Sequence, residues 1–505
     1  MTPLSRFIDY VVEQVSPARA ARRQYYRAWL QGSRKGKREQ YAAAKSHRLS
    51  GGWTVVPGGL NDLIANSGPA IRQRVRQLVR DFPYFARAIN CVVDYVVGPG
   101  IMFQSRAVTE SGDLNKAAIT AIEDSWKWWK EEADTAGKLH FDEIMRLMKR
   151  QDVESGEFIL VKAYPKGRYV PFSLSLYEAD WLTENSNPKF GGMLKQGIEY
   201  LEATGEVLAY HLSDPDDYRN VTVVRASQVI HGFDTVRPQQ LRGVSPFAPA
   251  VILADDLENY MGAEIDAAKL AAKYLAFIET PDPAGMQSGR LTYEENSEGV
   301  TKPLEEMENA IIEYLQPGER VDIAKHERPG TTFQPFVKFV LTMLSVGTGV
   351  PYELLTGDYQ GLNFSTARIC RNDWSQMLRP IAVRHIRQFC DPVFRAFLDM
   401  AVLSGRITLP GYFNNPRLYW EREWQPPGMV AVDPLRESKS QIESIDYGLK
   451  SQQEVARERG RDLEDIYREI KAARDMAKEY GLEFVKPSTA VSNNPAAINK
   501  ESEEE

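Results

Sequence analysis

The spacing of apolar residues changes twice along this chain of 505 residues, and each spacing permits one kind of secondary structure. Apolar residues recur every three to four positions from Ile71 to the stop at Gly98, with a break at Pro83, and again over 116–151. Between Gly156 and Val236 they alternate with polar residues, which is typical of strands. Helical spacing then returns and dominates to the end. The sequence predicts a mixed α+β chain that is mainly helical.

The longest helical pattern covers residues 246–280. Ser245 and Pro246 provide an N-cap and a first-turn proline, and the pattern stops before Pro281. An uninterrupted helix of this length would extend about 50 Å at 1.5 Å per residue. We therefore expect a rigid strut.

A polar insert over 281–332 follows this helix and contains one amphipathic stretch. Helical spacing resumes over 333–348 and gives way to a loop rich in glycine over 349–366. A further helical pattern covers 367–404, in which Pro380 and Pro392 predict kinks because proline removes a backbone donor.

Composition limits the classes of function that the chain can have. The chain is 43% hydrophobic and 26% charged, as in ordinary globular proteins, and its net charge of −7 argues against gripping nucleic acid over the whole surface. Its three cysteines have no C-x-x-C spacing, so no disulfide framework or zinc site is expected, and folding in a reducing cytoplasm fits best. No stretch approaches the roughly 20 apolar residues of a membrane span.

The two termini are charged with opposite sign. Residues 1–50 contain eleven Lys or Arg against three Asp or Glu, and the last residues, 486–505, form an acidic tail that is expected to be disordered. The basic arm is either a solvated terminus or a contact for DNA or an acidic partner. The residues most suited to such a contact are Arg34, Lys35, Lys37 and Arg38.

Motifs for catalysis are missing from the sequence. It contains no G-x-x-x-x-G-K-[ST], H-E-x-x-H or G-x-S-x-G, and the six histidines occur singly. The carboxylate pairs at 216–217 and 255–256 do not converge on one face and are expected to be solvated. The tryptophans at 126, 128 and 129 are expected to anchor packing. We therefore predict no catalytic residue, metal or cofactor, and no enzymatic activity.

Five segments, in this order, resemble the lambda-type family of bacteriophage portal proteins. They are RQLVRDFPYFARAINCVVDYVVGPGI at 76–101, GVSPFAPA at 243–250, KLAAKYLAFIET at 269–280, VPYELLTGDYQGLNFSTAR at 350–368 and VDPLRE at 432–437. The resemblance covers about residues 20–470 and implies a ring of about twelve copies. The ring would lie at one capsid vertex of the virion, after assembly in the host cytoplasm.

The resemblance also implies a division of the chain. The parts would be the basic arm 1–50, a wing over 51–245, a stem helix over 246–280, a clip over 281–332, a second stem helix over 333–348, a tunnel loop over 349–366, a kinked helix returning to the wing over 367–434, a crown over 435–485 and the tail.

In such a ring the tunnel loop would narrow a channel for double-stranded DNA. The expected channel-facing residues are Asp358, Tyr359, Gln360, Gly361, Leu362, Asn363 and Phe364, with Leu362, Asn363 and Phe364 at the exposed tip. Expected partners are further copies of the chain, the terminase large subunit, the head-tail connector, the major capsid protein and the scaffold, with no membrane. Two alternatives stay open: another capsid or scaffold component, or a DNA-processing enzyme, which would require a carboxylate or histidine cluster.

Overall fold

The computed structural model describes residues 58–273, 330, 332–428, 434–458, 461 and 463–482, together with short strands at 277–279, 293–295, 301–303 and 320–322. The elements below belong to the unit that begins at Leu60. The basic arm, with Arg34, Lys35, Lys37 and Arg38, lies outside the described residues, as does the acidic tail.

Helices occupy most of the described chain. In chain order they are α1 (Leu60–Asp81), α2 (Pro83–Val96), α3 (Lys116–Glu131), α4 (Phe141–Glu154), α5 (Val251–Lys273), α6 (Phe333–Thr348), α7 (Tyr352–Thr356), α8 (Phe364–His385), α9 (Asp391–Leu403), α10 (Arg417–Trp420), α11 (Pro434–Asp446), α12 (Gln452–Glu458) and α13 (Leu463–Glu479). A π-helical turn (Ile386–Cys390) joins α8 to α9.

Strands are concentrated where the sequence alternates. They are β1 (Met102–Ser105), β2 (Glu157–Ala163), β3 (Ser173–Tyr177), β4 (Met193–Lys195), β5 (Ile198–Tyr200), β6 (Val207–Asp214), β7 (Asp217–Arg225), β8 (Val229–Phe233), β9 (Phe277–Glu279), β10 (Tyr293–Glu295), β11 (Thr301–Pro303), β12 (Arg320–Asp322) and β13 (Arg422–Gln425). The mixed, mainly helical fold class is confirmed.

Antiparallel pairing organises the strands into two small sheets and three pairs. One sheet has the order β3-β2-β8 and the other β4-β5-β6-β7. The pair β1-β13 brings residues 422–425 back beside residues 102–105. Segments that are more than 300 residues apart in the sequence therefore share one framework.

The core is built on aromatic side chains from α3, α4 and the turn before α9. Trp126 and Trp129 are buried, and Trp129 stacks on Phe172 while its indole N–H donates to the Phe172 carbonyl at 2.8 Å. Phe141 stacks on Phe389 with 5.6 Å between ring centroids. Trp128 is exposed, so only two of the three tryptophans act as the predicted packing anchors.

A buried carboxylate, Glu157, ties α1 to the strands. It accepts two hydrogen bonds of 2.8 Å from the Arg242 Nε, one of 3.1 Å from Arg72 Nη1 and one of 3.0 Å from the Gly243 amide, and lies 3.1 Å from His231 Nε2. Burial alone would raise the pKa of Glu157, but the charge of Arg242 and the hydrogen bonds from His231 and Arg242 outweigh burial and lower it. These bonds compensate for the desolvation of the charge.

The predicted strut is shorter than the sequence indicates. A 3-10 turn (Ala248–Ala250), with Phe247 as its N-cap, precedes α5, and the Ser245 hydroxyl accepts from the Phe247 amide, so Ser245 and the proline after it lie before this turn and not at the start of the long helix. The α-helix covers Val251–Lys273, about 35 Å. Residues 277–279 form β9, which pairs with β12, where the sequence pattern predicts continued helix. The amphipathic stretch predicted within 281–332 lies outside the described residues.

The helix predicted over 333–348 matches the structure, whereas the helix predicted over 367–404 has its irregularity at a different position. The helix expected over 333–348 is α6, with the same bounds. The expected helix 367–404 begins three residues earlier, at Phe364, and runs through Pro380. Its irregularity is the π-turn, where the Asp391 amide donates to the Ile386 carbonyl, directly before Pro392, which cannot donate.

Candidate functional site

The segment between α6 and α8 is the candidate site, and its first half is ordered by hydrogen bonds. Gly349 ends α6 with φ of 70°, a left-handed conformation that glycine adopts without a Cβ clash. The Ser345 hydroxyl donates to the Val350 carbonyl at 2.6 Å. Pro351 is the N-cap of α7, so the tunnel loop predicted over 349–366 contains a helical turn at its base.

The base of the segment, residues 349–357, is anchored to α2. Leu355 is buried, and the Leu354 carbonyl accepts from Arg87 Nε at 3.1 Å. Tyr95 on α2 packs edge-to-face on Trp374 of α8, with 4.5 Å between ring centroids. The base therefore belongs to the packed body of the chain.

The tip, residues 358–363, lies between two capping positions. Gly357 ends α7 with φ of 74° and its amide donates to the Glu353 carbonyl at 2.8 Å. The Asp358 carboxylate accepts from the Gln360 amide at 3.0 Å, which forms a local turn. The side-chain oxygen of Asn363 accepts from the Thr366 amide at 2.8 Å and caps α8.

The contacts at the end of the tip involve residues that the sequence predicts to face the channel. Leu362 is half-buried, the amide oxygen of Asn363 is occupied by the cap, and Phe364 is the first residue of α8. The loop therefore ends at Asn363, which is exposed, instead of residue 366, and the expectation that these three residues face the channel stays a prediction. Tyr359, Gln360 and Gly361 are exposed, and Asp358 is half-buried.

A cavity of about 450 Å³ lies beneath the tip, which the sequence interpretation missed. Its walls come from α2, the base, α8 and residues 427–428, and are mostly apolar. Among them, Cys370 Sγ lies 3.7 Å from Glu353 Oε2, and burial followed by the Glu353 charge raises the pKa of this thiol. No local sequence pattern could reveal a cavity that separate segments form together.

The charge of the segment is low. No Lys or Arg occurs between Lys338 and Arg368, and Asp358 is the acidic residue of the tip.

In the part of the chain that the structure describes, no group of three or more His, Cys, Asp or Glu side chains could hold a metal ion. None of the described helices combines the length and apolar character that crossing a bilayer requires.

Comparison with known proteins identifies the family. The sequence model of the family described as phage portal protein, lambda family, matches residues 46–381, about two thirds of the chain. The chain belongs to the lambda family of phage portal proteins. This portal chain is 27% identical over 455 residues to a probable portal protein of Halomonas phage phiHAP-1, covering 85% of each. It is 22% identical over 477 residues to portal protein B of Escherichia phage lambda, covering 86% of this chain and 88% of that protein.

Solved structures of gene transfer agent (GTA) particles are also similar to the portal chain. The neck of an empty GTA particle, computed with C6 symmetry, has a TM-score of 0.47 at 13% identity, covering 77% of this chain and 93% of that one. The neck of a native GTA particle, computed with C12 symmetry, has a TM-score of 0.46 at 12% identity, covering 77% and 92%. Family membership rests on the sequence match.

Family membership decides one expectation about chemistry. Lambda-family portal proteins are structural components of the capsid, and the portal chain is therefore not an enzyme. This excludes the DNA-processing enzyme that the sequence left open.

Proposed function

We propose that this portal chain forms a ring of about twelve copies at one capsid vertex, through which double-stranded DNA enters during packaging and leaves during ejection. Each copy contacts its two neighbours through two different surfaces. Because the same rotation relates each copy to the next, these contacts close into a ring. During packaging the ring docks the terminase large subunit, and afterwards the head-tail connector. The major capsid protein and the scaffold surround it during assembly.

In this proposal the parts of the chain keep the roles that the family implies. Residues 51–245 form the wing, α5 and α6 form the stem, and the insert between them is the clip that meets the motor and the connector. The tip narrows the channel, and the helices after residue 434 form the crown.

The charge of the tip is the observation that carries the channel role. A run of 29 residues without Lys or Arg surrounds it, from Phe339 to Ala367. A channel for a moving polyanion needs weak contacts, because every lysine or arginine that binds a phosphate adds affinity that must be broken for each step. The anchored base and the capped ends hold such a tip in place without gripping DNA.

A double substitution tests this role. Tyr359→Lys with Gln360→Lys places two cations per copy on exposed positions and leaves Asn363 and Leu362 unchanged. We expect normal rings and procapsids but strongly reduced packaging of full-length DNA at low salt. Packaging should recover as ionic strength rises, since salt screens phosphate contacts.

The matched control is Tyr359→Ser with Gln360→Ser, which alters the same positions without adding charge and should package at nearly the unaltered rate. Normal packaging by the lysine variant at low salt would contradict the placement of the tip in the channel. A defect of equal size in both variants would show that the side chains, and not the added charge, matter.

A further inference from the structure

The cavity beneath the tip has the size of a pocket for a small molecule. Its volume of about 450 Å³ is many times the space of about 15 Å³ that one water molecule requires. Close-packed protein interiors contain few voids larger than a water, whereas pockets that hold small ligands begin at about 300 Å³. Tyr359 and Leu362 of the tip line the cavity together with residues of the body, so its walls come from both.

Three aromatic rings contribute to the walls. Tyr95 packs edge-to-face on Trp374 with 4.5 Å between ring centroids, and Tyr359 lies on the side of the tip. Burial raises the pKa of Tyr95, so its hydroxyl is uncharged at neutral pH. Leu354 and Pro351 add aliphatic carbon to the same surface. Walls of this kind favour a ligand with a flat ring, because the faces and edges of aromatic rings attract one another.

The charged groups of the walls balance each other. Asp94 pairs with Arg146 at 2.7 Å, and Glu353 and Arg371 contribute one charge of each sign. An ionic ligand would be attracted by one of these two groups and repelled by the other, and it would also lose its contact with water. The lining therefore fits a neutral ligand.

Glu353 provides a hydrogen-bond acceptor in the otherwise apolar wall. Among the residues that the structure describes, the Cys370 thiol, 3.7 Å from Glu353 Oε2, is the one side-chain group in contact with this carboxylate. Burial, followed by the charge of Glu353, raises the pKa of the thiol, which stays protonated and is a weak donor. Since a carboxylate can accept several hydrogen bonds, Glu353 has capacity left for a stronger N–H or O–H donor.

We infer that the cavity binds a neutral aromatic molecule that carries one N–H or O–H donor. The ring lies beside Trp374, and the donor binds the Glu353 carboxylate. Such a ligand contacts Tyr359 and Leu362 of the tip as well as the walls of the body, so it links the two and restricts the tip. This site goes beyond the proposed function and belongs to the single chain, so it does not depend on ring formation.

Calorimetric titration of the full chain with indole tests the site. Indole is neutral and aromatic and has one N–H donor, and we expect one molecule to bind per chain. The relative 1-methylindole has the same ring without the donor and should bind at least fivefold more weakly. Tryptamine, a cation, and indole-3-propionate, an anion, should also bind at least fivefold more weakly. Tighter binding of any of these three relatives would overturn the inferred ligand class.

Three variants test which wall residues hold the ligand. Glu353→Gln keeps an acceptor oxygen and should keep the affinity for indole within about twofold, whereas Glu353→Ala should weaken binding at least fivefold. Ala367 is half-buried and lines the cavity, so Ala367→Phe fills the space and should weaken binding at least tenfold. Equal affinity in all three variants, or no binding of indole by the unaltered chain, would overturn the inference.

The native cysteines report binding in the unaltered chain, so this test does not depend on how a variant folds. Cys370 lines the cavity and is half-buried, whereas Cys91 and Cys390 are buried. Saturating indole should slow the alkylation of Cys370 by N-ethylmaleimide at least threefold, measured by mass spectrometry. An unchanged rate would place the bound indole outside the cavity and overturn the inference.

Hydrogen exchange tests the link between tip and body. The Gln360 amide donates to the Asp358 carboxylate, and its exchange should slow at least threefold when indole is bound, whereas exchange in β2 should not change. An unchanged rate at Gln360 would overturn the link. An unaltered chain that binds indole but forms no ring at any salt or protein concentration would overturn the proposed function and support the site.

Discussion

His385 lies in the core at the end of α8, where its ring stacks on Phe389 with 5.3 Å between centroids and faces Phe158 at 5.8 Å. Burial, followed by the charge of Lys149, lowers the pKa of His385 from 6.5 to about 3. Lys149 and Asp152 on α4, 2.5 Å apart, and Arg384 are the charged groups beside it. The folded chain therefore holds this imidazole neutral over a range in which the unfolded chain protonates it.

We expect this histidine to make the protein less stable in mild acid. Between pH 6.5 and 3 the unfolded state binds a proton that the folded state does not, so the free energy of unfolding falls as pH falls. At pH 5 the loss from His385 is about 2 kcal/mol. Urea unfolding at pH 7, 6 and 5 should show a flatter pH dependence for both His385→Phe and His385→Leu than for the unaltered chain.

The two variants distinguish the effect of the lost proton-binding group from any effect of altered packing. Phe and Leu differ in size but both lack the imidazole, so both variants should show the same flatter pH dependence of the free energy of unfolding. The same slope in all three proteins would mean that His385 binds protons equally in the folded and unfolded states.

At the scale of elements, the candidate loop is defined by how its flanking helices begin and end. Gly349 ends α6 and Asn363 begins α8, and the short α7 between them is anchored to α2 through Leu354. The tip is the only part of this segment that rests on local turns and a half-buried Leu362 above the cavity. Small changes in the cap should therefore alter the tip without unfolding the body.

Asn363→Ala tests this dependence. Loss of the acceptor for the Thr366 amide should cost about 1 kcal/mol of local stability at the start of α8. Hydrogen exchange at Thr366 should then become about fivefold faster. Asn363→Asp is the control, since its carboxylate accepts the same hydrogen bond and should keep exchange slow. An unchanged rate in the alanine variant would show that the cap contributes nothing to this end of the helix.

At the scale of the whole molecule, the portal chain has the properties of a structural component of the capsid. Its net charge is −7, it has no nucleotide-binding loop in its sequence, and it belongs to a family of capsid components. In the proposed ring, energy for packaging comes from the terminase.

The purified chain should not hydrolyse ATP. The sequence lacks the G-x-x-x-x-G-K-[ST] loop that cradles phosphates, so turnover in a phosphate-release assay should stay at the buffer background with or without DNA. Addition of purified terminase provides the positive control. Turnover that survives stringent purification and increases in proportion to the amount of this chain would contradict the prediction.

Local patterns in the sequence determined the element types and the family. Helical spacing predicted α6 with its bounds, and alternation predicted the strands between residues 156 and 236, because these signals depend on side chains only a few positions apart. The missing motifs likewise predicted that the chain is not an enzyme. The division into wing, stem, clip and crown, and the channel role of the tip, stay predictions.

Only the tertiary structure decided how distant segments meet. Strand β9 pairs with β12 where the sequence pattern predicts continued helix, and the network around Glu157 joins residues 72, 157, 231 and 242. The sequence likewise did not reveal that Asn363 caps α8 and that Leu362 lines the cavity. Such contacts link positions that no periodicity connects, since a side chain's neighbours in a packed core come from wherever the chain folds back.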